Sequence, residues 1–88
     1  MGVEIKISPL IQTLIGIAET VEVEGTSARE CLDNLARENP GIKEVIFDKN
    51  GVMKVIILRN GIVLPQNCLD NEVSDKDIIT ILAPMAGG

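Results

Sequence analysis

The residues of this chain that could do chemistry are few, and the most suggestive stand at one end. The sequence closes on ILAPMAGG, so Gly87 and Gly88 follow an apolar run interrupted once, at Pro84. Lacking a Cβ, two consecutive glycines can lie extended in a slot too narrow for any side chain. A free α-carboxylate on Gly88 would have an ordinary pKa of about 3.3–3.7, which makes it ionised at neutral pH and a poor electrophile. Coupling it to the α-phosphate of ATP would give a mixed anhydride, whose carbonyl a sulfur nucleophile can attack. The six residues from Ala83 onward span about 20 Å at roughly 3.3–3.6 Å each. The carboxylate is therefore expected to enter another protein's active site while the body docks outside.

The rest of the chain offers little competing chemistry. It has no His for general-base work, and its eight glycines form neither GxxxxGK nor GxGxxG. ATP and Mg are accordingly expected on an activating partner, with no cofactor or metal bound by this chain. Cys31 and Cys68 are too far apart in sequence for a metal knuckle or redox pair. Cys31 is expected in the core, whereas Cys68, in a polar loop, is the reactive-thiol candidate. Asp70, Glu72, Asp75 and Asp77 lack the ligand spacing of a calcium loop and are expected to form a solvated turn.

A chain of 88 residues supports one core. We place the domain at 1–83 and an extended tail at 84–88. Hydrophobic residues at 45% and charged residues at 24% exclude disordered and collagen-like classes. Phe47 is the sole aromatic and the net charge is −5, so neither stacking platforms nor clustered cations favour nucleic acid. A basic partner surface is the natural complement. No apolar run reaches the roughly 18 residues of a membrane span, and MGVEIKIS lacks the layout of a signal peptide, so the expected location is cytoplasmic.

Several elements must position that tail. VEIKI at Val3–Ile7 alternates apolar and polar, as does ETVEVE with Val21 and Val23 inward, which predicts an antiparallel strand pair. Between them Leu10, Ile11, Leu14 and Ile15 allow one or two helical turns. In TSARECLDNLAREN, Ser27 and Glu30 form a capping box, and Ala28, Cys31, Leu32, Leu35 and Ala36 make one apolar stripe. Asp33, Asn34, Arg37 and Glu38 fall off that stripe, and Pro40 and Gly41 stop the helix. Ile42, Val45 and Ile46 suggest a short turn, then a polar loop tipped by Asn50 and Gly51. KVIILR reads as a strand buried on both faces or flanked by a partner, because it is almost continuously apolar. Asn60 and Gly61 predict a type I′ hairpin into IVL, ended by Pro65, and IITILA is the last strand. The order predicts an α+β fold: a mixed sheet curled over one main helix, with first and last strands adjacent at its centre, as in the ubiquitin-like β-grasp.

With these residues in view, the chain resembles the ubiquitin-like sulfur carriers, the MoaD/ThiS family, and most of all the small subunit of molybdopterin synthase. The likeness runs through VEVEG, CLDNLARENPGIKEVIFD, the NG hairpin, VSDKDIITILAP and the closing AGG. It implies that Gly88 is adenylated by a ubiquitin-activating-like adenylating enzyme and converted to a thiocarboxylate by a sulfur donor. The large subunit of molybdopterin synthase would then receive the tail of Pro84, Met85, Ala86, Gly87 and Gly88 and pass the sulfur to a pterin precursor. Met85 stands where the family often has a smaller aliphatic residue, Ala83 where it often has proline, and SPLIQTLIG lacks the aromatic and basic residues common after the first strand. Three alternatives stay open: a carrier for thiamin, cysteine or other thio-compounds; a modifier joined to lysines; and an interaction module using a sheet face around Ile56, Leu58 and Ile62.

Overall fold

The computed structural model describes residues 2–84. Its elements are β1 (Val3–Ile7), α1 (Pro9–Ile15), β2 (Thr20–Val23), α2 (Ala28–Glu38), α3 (Ile42–Ile46), β3 (Ile56–Arg59), β4 (Ile62–Val63), a 3-10 turn at Gln66–Cys68, and β5 (Ile78–Leu82). The sheet order is β2-β1-β5-β3-β4, with β1 and β5 parallel at its centre and every other pairing antiparallel. The expected β-grasp arrangement is therefore present, with one long helix and two short ones.

The central pair shows why these residues form strands. Val3, Ile5 and Ile7 alternate with Glu4 and Lys6, and only the first three are buried. Ile5 and Ile7 sit in register with Ile79 and Ile81, and none of the four is more than 3% exposed. This aliphatic seam is the sheet's contribution to the core.

Helix α2 supplies the opposite layer. Ala28, Cys31, Leu32 and Leu35 are buried and Ala36 packs against them, as the stripe requires. Burying each leucine is worth roughly 1.5–3 kcal/mol. Ser27 Oγ accepts from the Glu30 N–H at 3.1 Å, but the Glu30 carboxylate accepts from the N–H of Thr26, at 2.7 Å, one residue earlier than a standard capping box. At the far end the Asn39 N–H donates to Leu35 O, and Gly41 takes φ 100°, a left-handed conformation that glycine adopts without strain.

Two expectations need correction. Of the two readings of VIIL, burial on both faces is overturned: Val55 and Ile57 face the core, while Ile56 is 42% exposed. All-apolar sequence cannot distinguish a strand covered twice from one with a bare apolar face. The acidic loop is not wholly solvated either. Asp70, Glu72 and Asp75 are exposed, but Asp77 is only 7% exposed and accepts hydrogen bonds from Arg59, Asn60 and the Ser74 N–H. The hairpin follows expectation, with Asn60 at φ 52° and Gly61 at φ 84° and Arg59 opposite Ile62.

Candidate functional site

The site is the pole from which β5 leaves the sheet. β5 is hydrogen-bonded on both sides, which fixes where the following residues start and where they head. Its ladder to β1 ends as the Ser8 N–H donates to Ile81 O at 3.0 Å, after which β1 turns into α1. On the other side Leu82 is still paired with Ile56. Ala83 then packs partly against the core and Pro84 is exposed. Proline has no N–H to extend a ladder, so pairing stops there for a chemical reason.

The surroundings of this exit are apolar. Leu82 and Ile56 lie side by side on the sheet face turned away from the core, 36% and 42% exposed. Helix α1 adds Leu10 and Leu14, 54% and 63% exposed, one turn apart on the same helix face. Of the four apolar residues that predicted these helical turns, only Ile11 is fully buried and Ile15 partly so. Pro9 at the first helical position and Gly16 at φ 76°, whose N–H donates to Gln12 O, limit α1 to two turns. Ser8 Oγ is buried here without a hydrogen-bond partner.

Of the residues singled out in the sequence, Pro84 is at this pole, while Met85, Ala86, Gly87 and Gly88 lie outside the described residues. Cys31 is fully buried on the core-facing side of α2, and burial pushes its thiol pKa up, with the Glu30 charge adding to the effect. Cys68 is half-buried on the 3-10 turn, its Sγ 3.7 Å from Asn67 Oδ1. Both thiols are free. Among the described residues no group of three or more His, Cys, Asp or Glu side chains could hold a metal ion, and no helix is long and apolar enough to cross a membrane.

Two features escaped the sequence reading. One is the Asp77 cluster, which joins residues distant along the chain and has no spacing signature. The other is the exposed leucine pair of α1, signalled only by the lack of any charge between Ile7 and Ala18. A wide depression of about 900 Å³ lies elsewhere, bordered by Arg29, Asp33, Lys43, Phe47 and Lys54 among others. Its charges are mixed in sign, and Arg29 is already paired with Asp70 at 2.7 Å.

With this geometry established, likenesses to known proteins become informative. The family model described as the ThiS family matches residues 9–88. No curated protein sequence matches the chain. The solution structure of small archaeal modifier protein 1 from Methanosarcina acetivorans is similar, with a TM-score of 0.84 and 26% identity over 99% of this chain and 96% of that one. A chain of the Amycolatopsis orientalis BexX/CysO complex gives 0.83 and 27% over 98% and 99%. A chain of the complex of subunits 1 and 2 of molybdopterin-converting factor from Helicobacter pylori gives 0.66 and 24% over the full length of both, a likeness of fold. The molybdopterin relative thus stands beside modifier and CysO relatives and is not singled out among them.

Proposed function

Starting from the fact that this chain belongs to the ThiS family, we propose that it is a sulfur carrier whose working group is the carboxylate of Gly88. The observation that supports this reading most is the reach of the family match, which runs without interruption from the β-grasp body through Gly87 and Gly88. The body is residues 1–83 and the tail is residues 84–88. A carboxylate oxygen of Gly88 attacks the α-phosphorus of ATP, held with Mg by an adenylating partner, and pyrophosphate leaves. Sulfide then attacks the acyl carbon, AMP leaves, and Gly88 ends in a thiocarboxylate. Glycine at positions 87 and 88 serves both steps, because the extended chain must bring the acyl carbon to the nucleotide through a passage without room for side chains.

The receiver favoured by the helix followed by PGIKEVIFD is the large subunit of molybdopterin synthase, with a pterin precursor as the sulfur acceptor. Two other destinations have their own support. The likeness to a chain of the BexX/CysO complex favours delivery to a different biosynthetic enzyme. The likeness to small archaeal modifier protein 1 favours amide formation with lysines.

The test is to append one residue after Gly88, and separately to make Gly87→Val. Both variants should keep the thermal midpoint of the native chain and lose ATP–pyrophosphate exchange with the adenylating enzyme. Exchange at native rates by either variant would remove the slot and the terminal carboxylate from the mechanism.

A further inference from the structure

We propose that Asn50 is a self-modification site: with water alone, the Asn50–Gly51 pair closes to a succinimide and opens to aspartate or isoaspartate, while the fold protects the pair Asn60–Gly61. This chemistry is independent of the tail. An asparagine side-chain carbonyl lies within reach of the next residue's nitrogen, and glycine hinders that nitrogen least because it has no Cβ. The chain has two Asn-Gly pairs in nearly the same setting, KNGV at 49–52 and RNGI at 59–62. Any difference in their reactivity therefore belongs to the fold. In the reaction the Gly51 nitrogen gives its proton to solvent and attacks Asn50 Cγ. The new N–Cγ bond forms, the Cγ–Nδ2 bond breaks, and Nδ2 takes up a proton and leaves as ammonia. Water then adds to one of the two ring carbonyls. Breaking the new N–Cγ bond gives aspartate, and breaking the older bond to the Asn50 main-chain carbonyl carbon gives isoaspartate. One water enters, one ammonia leaves, and nothing is oxidised or reduced.

Both pairs stand in exposed turns, so access of water does not separate them. The hold on the carbonyl under attack does. The Asn60 side chain is fixed at both ends, Nδ2 donating to Asp77 Oδ1 at 2.9 Å and Oδ1 accepting from the Ile78 N–H at 2.8 Å. Rotating its Cγ toward the Gly61 nitrogen breaks both bonds and takes a partner from the carboxylate of Asp77, which is only 7% exposed. The Asn50 side chain, by contrast, has no hydrogen-bond partner among the described residues, and only its N–H is held, by Asp48 Oδ1 at 2.8 Å. One fact opposes this ranking: the Gly51 N–H donates to Asp48 O at 2.9 Å, whereas the Gly61 N–H is unbonded among the described residues. That bond closes an exposed turn of four residues, and such bonds open locally at small cost. Asp48 Oδ1 also accepts from the Val52 N–H, and Gln66 Nε2 donates to Gly51 O. These contacts hold the backbone and leave Cγ of Asn50 free to turn. Either product places a carboxylate on the rim of the wide depression, where Lys49 and Lys54 also stand. Isoaspartate further adds a carbon to the main chain of a turn whose Asp48 carboxylate spans Asn50 and Val52.

The experiment is to age the full-length chain in warm, mildly alkaline buffer without any enzyme and to follow its peptides by mass. Replacing the amide NH2 by an oxygen adds about 1 Da, and labelling by an isoaspartyl methyltransferase marks the isoaspartate fraction. The peptide holding Asn50 should gain that mass about tenfold or more faster than the peptide holding Asn60, whose two side-chain bonds must first break. In urea, where flanking residues alone count, the two rates should agree within about twofold. Asp77→Ala, which frees Asn60 Nδ2, should speed Asn60 several-fold while Asn50 keeps its native rate and so reports that the variant is still folded. Should that variant unfold, both sites move to their urea rates and the native-against-urea comparison decides. Equal native rates, a faster Asn60, or no gain at Asn50 in a folded chain whose urea form reacts would each overturn the proposal. So would urea rates as far apart as the native ones, which would assign the difference to sequence, or an Asn60 rate that a folded Asp77→Ala chain leaves unmoved.

Discussion

Asn60 and Asp77 hold the hairpin turn to the start of the last strand. Asn60 Nδ2 donates to Asp77 Oδ1 at 2.9 Å, and Asn60 Oδ1 accepts from the Ile78 N–H at 2.8 Å. Arg59 Nη2 lies 3.0 Å from Asp77 Oδ2, and the Ser74 N–H donates to the same oxygen at 2.9 Å. β5 is thus pinned at the end opposite to the tail, by groups from two segments, Arg59–Asn60 and Ser74–Ile78.

These bonds lower the Asp77 pKa to about 2, with the Asn60 hydrogen bond first, then that from Ser74, and then Arg59, against the opposing effect of burial. A folded-state pKa below the unfolded value means stability is present above the unfolded pKa and lost as pH falls through the folded one. The protein should therefore lose on the order of 2 kcal/mol between about pH 4 and pH 2 through this group. Asp77→Asn, which in either orientation places an amide donor where at least one donor already points, should cost about 1–3 kcal/mol at neutral pH and flatten that acid limb. Urea melts of both proteins from pH 7 to pH 2 measure both effects; an unchanged slope in the variant would remove Asp77 from the linkage.

Gly25 lies against α2 so closely that a Cβ there would come within 2.7 Å of Cys31 Sγ and 2.9 Å of the Cys31 backbone nitrogen. Gly25→Ala should destabilise by about 1–3 kcal/mol through overpacking. Adding Cys31→Ala removes the sulfur clash and leaves the backbone one, so the double variant should recover only part of the loss that Gly25→Ala causes in the Cys31→Ala background's absence. A double-mutant cycle from denaturant melts decides this; full independence of the two changes would contradict the close approach.

Gly61 is a different case, with no atom within 4 Å of a built Cβ and φ at 84°. The cost of Gly61→Ala is then conformational alone, about 1–2 kcal/mol. A chemical-denaturation midpoint equal to that of the native chain would mean that the turn relaxes to another type.

Local patterns made much of the fold legible in the sequence. Alternation in VEIKI, the Ala28-to-Ala36 stripe and the Asn60–Gly61 pair each encode their geometry within a few residues, and each element formed as expected. Where the information is not local, the sequence was silent. Nothing near Asp77 announces that Asn60 and Arg59 will surround it, so its carboxylate reads like its exposed neighbours Glu72 and Asp75. Likewise VIIL does not reveal that helices cover only one face of the sheet and leave Ile56 bare. The exit pole was half legible: the stop at Pro84 was evident, whereas the exposure of the leucines of α1 was not, because spacing alone does not tell which way a two-turn helix faces.

The most direct measurement is the mass of the C-terminal peptide after the full chain has been incubated with its adenylating enzyme, ATP, Mg and sulfide. Exchange of one oxygen for sulfur at the Gly88 acyl carbon adds about 16 Da, and the account expects that gain on the peptide ending in Gly88 and nowhere else. An unchanged mass of that peptide while the enzyme turns over ATP on the chain would contradict it.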